Sequence, residues 1–142
     1  MKNFLRKANS HKRSLLGTLT KNLGSEVQAA PSGLDVAAIR RVLIVRPNHR
    51  LGNTLMLTPL VREINGLLPG ATVDLFVKGN TAKAVFRNYE NVGRLIALPK
   101  KHFSQLHSYV YRWLQLRSKS YDMVINIDPG SSSGRMATAF AS

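Results

Sequence analysis

The stretch RVLIVRPNHRLGNT, Arg41 to Thr54, changes character half way along. Val42, Leu43, Ile44 and Val45 are apolar at consecutive positions, and a strand without a polar face is one covered on both sides, as in a parallel sheet between helices. Pro47, Asn48, His49, Arg50 and Gly52 then read as a polar loop. From Thr54 the segment TLMLTPLVREINGLL takes a helical period. Strand, polar loop and helix in that order open a βαβ unit.

The alternation continues. ATVDLFV (71–77) reads as a second strand, TAKAVFRN (81–88) as a helix and RLIALP (94–99) as a third strand. FSQLHSYVYRWLQLRSKS (103–120) reads as a helix whose Phe103, Leu106, Val110, Trp113 and Leu114 share a face. YDMVINID (121–128) is a fourth strand, and SSGRMATAFA (132–141) opens a last helix. The predicted class is α/β, a doubly wound parallel sheet with right-handed crossovers, for which 3-2-1-4 is a common order.

The totals suit one globular domain: 142 residues, 44% hydrophobic and 20% charged. The chain has 21 Lys+Arg against 7 Asp+Glu, a formal net charge of +14, which attracts phosphate, anionic lipid or nucleic acid. With no cysteine, a disulfide framework and a thiolate metal site are excluded. The longest apolar run near the start, SLLGTLT, is too short and polar for a signal sequence, and no run is long enough to span a bilayer. The expectation is a soluble or peripheral protein.

Residues 1–38 differ from the rest, being basic, poor in aromatics and closed by an Ala-Pro-Ser-Gly signal. Phe4, Leu5, Ala8, Leu15, Leu16, Leu19 and Leu23 recur at helical spacing opposite Lys2, Arg6, Lys7, Lys12, Arg13 and Lys21. The segment reads either as a basic amphipathic foot on an anionic membrane surface or as a solvated tail. The domain proper is placed at residues 39–142.

Ligands of open parallel sheets bind beyond the carboxyl ends of the strands, where strand order reverses. With order 3-2-1-4, RPNHRLGN (46–53) and DPGSSSG (128–134) face each other there. Asn53 would sit at the opening of the first helix, as a ligand contact or as its cap, and Gly52 would allow a close backbone approach or turn the chain. Neither a GxGxxG nor a GxxxxGK[ST] pattern follows the first strand, which argues against dinucleotide and ATP chemistry. His11, His49, His102 and His107 are scattered, so no metal site is expected.

The segments VLIVRPNHRLGNTLMLTPLVREINGLLPGATVDLFVKGN, NVGRLIALPK and YDMVINID resemble, in order and spacing, the N-terminal half of glycosyltransferase family 9, the ADP-heptose:lipopolysaccharide heptosyltransferases. The most diagnostic part is RLGNTLMLTPL, and the resemblance runs from Val42 to the C-terminus. It implies a GT-B enzyme of two Rossmann-like domains. The first would bind the acceptor and supply the base, and the second, absent from this chain, would bind a nucleotide sugar such as ADP-heptose. No metal or other cofactor is implied, and a chain with only the first domain is expected to be inactive alone.

One position departs from the family. The residue after Leu-Gly is usually an Asp, taken as the base that deprotonates the acceptor hydroxyl, and here it is Asn53. An amide cannot usefully accept that proton. Asn53 would then position the acceptor beside another base, or activation comes mainly from elsewhere, or the protein is catalytically idle. His49 and Asp128 are the replacement candidates, since imidazole titrates near neutral pH and Asp128 ends the fourth strand at the same crevice. Arg46, Asn48, Arg50, Gly52, Lys78, Ser131, Ser132 and Arg135 complete the expected acceptor site, their cations suited to phosphates and carboxylates of an inner-core glycolipid. The leading expectation is a cytoplasmic transferase, peripheral to a bacterial inner membrane, acting in lipopolysaccharide core or surface-glycan biosynthesis. The rival is a non-enzymatic basic module for anionic lipid or nucleic acid; no nucleic-acid motif supports the second version, and no nucleic-acid partner is expected.

Overall fold

A computed structural model of the chain describes residues 35–99 and 106–141. The basic segment expected before Asp35, and Phe103, lie outside them. Four strands, β1 (Arg41–Arg46), β2 (Thr72–Lys78), β3 (Val92–Leu98) and β4 (Met123–Asn126), form one sheet in the order β3-β2-β1-β4. Every pairing is parallel. The connections carry α1 (Leu51–Leu55), α2 (Leu57–Leu67), α3 (Thr81–Phe86), α4 (Leu106–Arg117) and α5 (Ser132–Ala141). The protein is therefore α/β with an all-parallel sheet between helices, in the common 3-2-1-4 order and compatible with a Rossmann-like fold.

β1 is the centre. Val42, Leu43, Ile44 and Val45 are each 0% exposed and alternate between two cores. Val42 and Ile44 meet Val73, Leu75 and Val77 of β2 under α2 (Leu57, Val61, Ile64) and α3 (Ala82, Phe86). Leu43 and Val45 meet Phe76, Ile96 and Leu98 under Leu116 of α4 and Ala137 and Ala141 of α5. Each fully buried Val or Leu contributes about 1.5–3 kcal/mol, so these two layers supply the main driving force. Ile39 is buried as well, while residues 35–38, including a 3-10 turn capped by Asp35, are exposed.

The helix read over 54–68 is two helices. Pro59 has no N–H to give the Leu55 carbonyl one turn back, and its ring opposes a continuous ladder there. The break falls at Met56. The Thr58 hydroxyl donates to the Leu55 carbonyl at 2.8 Å, taking the place of the missing amide.

The face expected of the fourth helix is also corrected. Val110 and Leu114 are 50% and 60% exposed, and the inward residues are Tyr109, Trp113 and Leu116. The aromatic rings decide this. Trp113 packs edge-on to Phe76 of the sheet at 5.4 Å between centroids and against Phe140 of α5 at 5.8 Å, and each such pair adds about 0.5–1.5 kcal/mol to the burial of its large rings.

One buried charge is built into the sheet. Asp74, 4% exposed in the middle of β2, stands opposite both Gly93 and Arg94 of β3, because the register slips between Val73–Val92 and Leu75–Leu95. Such a bulge leaves an amide outside the ladder, and Asp74 Oδ1 accepts it, from Arg94 N at 2.7 Å. Asp74 Oδ2 accepts from Arg94 Nε and from the Tyr121 hydroxyl, both at 2.9 Å, and the Arg94 guanidinium also reaches Tyr121 and Ser118 at 3.0 Å. Gly93 is required here. A Cβ on it would lie 2.5 Å from Thr72 Cγ2 and 2.8 Å from Asp74 Oδ1.

Burial, then the neighbouring Asp74 charge and its hydrogen bond, push the Tyr121 hydroxyl up to about 12, against an opposing effect of Arg94. Burial disfavours the Arg94 charge, but the bond to Asp74 and the attraction of Tyr121 and Asp74 hold its pKa above the ordinary value. At the start of the sheet, Asp122 Oδ2 accepts the amides of Arg40 and Arg41 at 2.9 and 2.8 Å, which lowers the Asp122 pKa.

Two outcomes follow. Thr58→Val should cost about 0.5–1.5 kcal/mol, the net value of one hydrogen bond, in urea unfolding, whereas Pro59→Ala should increase helical circular dichroism by joining α1 to α2. The raised Tyr121 pKa means the fold favours its neutral form. That stability is complete below the unfolded tyrosine value near pH 10 and is lost as pH rises through about 12. Tyr121→Phe should remove this alkaline slope, and difference absorbance at 295 nm should show the wild type holding one extra neutral tyrosine at pH 11.

Candidate functional site at the carboxyl rim of the sheet

Val45 pairs with Asn126, so β1 and β4 end side by side and their two outgoing loops leave from neighbouring points. The first loop is shaped by its own polar groups. Asn48 N donates to the Arg46 carbonyl at 2.7 Å, and Asn48 Oδ1 accepts the Arg50 amide at 3.1 Å. Arg50 is the N-cap residue of α1, with extended backbone and no side-chain cap bond, and its carbonyl accepts the Thr54 amide and hydroxyl at 3.2 and 3.3 Å. His49 and Arg50 are exposed.

Two expectations change here. Asn53 is the third residue of α1, half-buried, and does not cap it. Gly52 lies inside the first turn with a negative φ, and nothing stands within 4 Å of where its Cβ would be. No turn and no neighbouring protein atom requires a glycine there.

The second loop is held more firmly. Asn126 Oδ1 accepts the Asp128 amide at 3.0 Å, the Asp128 carbonyl accepts Ser131 N at 3.0 Å, and Ser131 Oγ accepts the Gly134 amide at 3.3 Å as the cap of α5. Arg135, expected to face the acceptor, is buried and donates from one guanidinium nitrogen to the Pro129 carbonyl at 2.7 Å. Ser132, Ser133 and Asp128 are half-buried. Gly134 lets α5 sit directly on the strand end, where a Cβ would come 2.8 Å from the Asp128 carbonyl and 3.1 Å from Asn126 Oδ1.

The cations gather on the β1–β2 side. Arg46 ends β1 level with Val77, and Lys78 ends β2 level with Leu98; both are half-buried. Three buried polar atoms at this rim have no hydrogen-bond partner among the described residues: Arg46 Nε, Thr81 Oγ1 and Asn126 Nδ2. Buried polar groups are nearly always paired, so each calls for a partner beyond the described residues. Sequence reading missed Asn126 and Thr81. The signal for Asn126 was an amide ending the apolar run MVI, where strand propensity disfavours it; Thr81 carried none.

A cavity of about 360 Å³ opens on the same rim over β2 and β3, lined by Asn80, Leu98, Ser108 and Arg112 among others. None of the residues singled out in the sequence lines it. Another, of about 280 Å³, lies beside Arg117, Lys119, Tyr121 and Phe140, towards the amino end of β4. Among the described residues no three His, Asp or Glu side chains converge as a metal site would require, and no helix is long and apolar enough to cross a membrane. No family model, no curated protein and no solved structure matches the chain.

Gly134→Ala should cost about 1–3 kcal/mol, as overpacking does, and should disturb the amide resonances of Asp128 and Ser131 more than those of the β2–β3 pair. An unchanged melting temperature and unchanged Asp128 resonance would show that the turn yields freely.

Proposed function

We infer that this chain is the acceptor-binding unit of an inverting, metal-independent sugar transferase of the GT-B kind, similar to the heptosyltransferases of glycosyltransferase family 9. The observation that carries the reading is the juxtaposition at the rim. The loop bearing Asn48, Arg50 and Asn53 and the loop bearing Asp128 leave adjacent strands, at the point where an open parallel sheet takes its ligand.

In this reading a nucleotide-sugar donor, such as ADP-heptose, is held by a second unit. Arg46, Arg50 and Lys78 attract the phosphates and carboxylates of a glycolipid acceptor, and the Asn53 amide orients its attacking hydroxyl. Asp128 accepts the proton. The acceptor oxygen bonds to the anomeric carbon as the bond from that carbon to the diphosphate breaks, and the nucleoside diphosphate departs with the electron pair. Exposed His49 is a weaker base candidate, because an exposed imidazole is not held against a substrate hydroxyl. A basic surface of this kind suits work at an anionic bilayer, where such an acceptor is embedded.

The test is a transferase assay on the enzyme including its donor-binding unit, with a lipopolysaccharide inner-core acceptor. Asp128→Ala should lower kcat by about 10²–10⁴-fold, the usual worth of a general base. His49→Ala should stay within about threefold, and Asn53→Asp should retain or raise turnover. Unchanged kcat in Asp128→Ala removes Asp128 as the base. Absence of any transfer, with DNA bound more tightly than core oligosaccharide, overturns the transferase reading.

A further inference from the structure

Arg46 and Thr81 carry two polar atoms that have lost water without gaining a protein partner among the described residues: Arg46 Nε and Thr81 Oγ1. Strand register puts them in one layer. Arg46 follows Val42 and Ile44 on the face of β1 that meets α2 and α3, level with Val77, and Thr81 opens α3 immediately before buried Ala82. Both stand at the carboxyl rim, beneath which α1 packs on α3.

A donor atom covered from water and left without an acceptor is costly. Of the six carboxylates in the described residues, five are bonded or exposed elsewhere, and the sixth, Asp128, follows β4 rather than β2. With only 7 Asp+Glu in the sequence, Asp74 is bonded to Arg94 and Tyr121, Asp122 to the amides of Arg40 and Arg41 at the opposite end of the sheet, and Asp35 to its own 3-10 turn. Glu63 and Glu90 are exposed. A guanidinium edge and a hydroxyl in one layer of a ligand-binding rim match an oxyanion, which accepts from both.

We propose that Arg46 and Thr81 form an oxyanion subsite that takes a phosphate or carboxylate group of the ligand, with Arg46 donating from Nε and Thr81 from its hydroxyl. That the group belongs to an acceptor glycan rests on the sugar-transfer reading; the subsite itself does not. Thr81 lies outside every segment from which the sequence suggested a site. It extends the ligand's path from the β1 loop towards β2, on the side away from Asp128.

The intact chain is tested by its melting temperature in inorganic phosphate, and separately in glucuronate, against chloride at matched ionic strength. At least one of the two anions should raise the wild-type melting temperature with saturation. Arg46→Met should abolish that rise, and Thr81→Val should weaken the apparent affinity several-fold. Without either anion, Arg46→Met should melt no lower than the wild type, because a similar apolar chain removes a covered donor that has no partner. A response to phosphate alone assigns a phosphoryl group, and a response to glucuronate, alone or with phosphate, includes carboxylates.

No saturable response to either anion overturns the subsite, as does an undiminished response in Arg46→Met. If Arg46→Met does not fold, Arg46 has a structural partner and the proposal fails; Thr81→Val then separately reports whether the hydroxyl contributes to anion binding. Failure of the transferase assay removes the glycan assignment and leaves the anion response where it was.

Discussion

β1 has water on no side, and the rest of the architecture answers to that. Four consecutive residues at 0% exposure need a hydrogen-bonded strand at each edge and a hydrophobic layer on each face. β2 and β4 supply the edges, α2 with α3 one layer, and α4 with α5 the other. Because all pairings are parallel, each connection must cross a face. The chain leaves β1 over one layer and leaves β4 over the other, so two loops part from adjacent strand ends, where an open parallel sheet takes a ligand. That placement is a consequence of packing, before any residue in the loops acquires a chemical role.

The few carboxylates in the described fold are distributed unevenly along the strands. Asp122 collects amides at the amino end, and Asp74 stitches the bulge of β3 to β2 and to Tyr121 in mid-sheet. A buried pair like Asp74–Arg94 gains little net stability over an apolar alternative, but it fixes the register of a bulged edge strand that burial alone leaves underdetermined. Its effect is positional. With these acids committed away from the carboxyl rim, Arg46, Arg50 and Lys78 outnumber Asp128 there, and a net positive rim concentrates anionic ligands.

The parts of the fold legible in the sequence were those governed by local pattern. Val42–Val45, the consecutive apolar residues of β2, and the run from Ser132 to Ala141 each marked its element because hydrophobic period and length sufficed. Local pattern failed where a single group overrode it. Pro59 broke a helix whose apolar spacing was continuous, and Trp113 turned α4 so that Val110 and Leu114 face solvent. The two rim loops were found because their composition is unusual, yet Gly52 and Asn53 fall inside α1. Arg135 points to backbone rather than outward, since side-chain direction depends on where a helix begins. Asn126 and Thr81 were placed by strand register and by the α3 start, which no short motif encodes.

The two loops are braced by different groups, and that difference bears on Asn53. On the β4 side, Asn126 holds the Asp128 amide, Arg135 the Pro129 carbonyl, Ser131 the end of α5, and Gly134 presses the helix onto the strand. On the β1 side, a loop braced by Asn48 carries the exposed His49 and Arg50. Proton transfer demands a group fixed within hydrogen-bonding reach of its target, whereas attraction of an anion tolerates a mobile cation. On the sugar-transfer reading, the carboxylate therefore belongs on the loop held through side chains of β4 and α5 and the charge on the exposed one. An amide at position 53 then costs the chemistry little, because its loop serves to capture and orient the acceptor, and Asn126 and Arg46 lie towards opposite layers of the sheet.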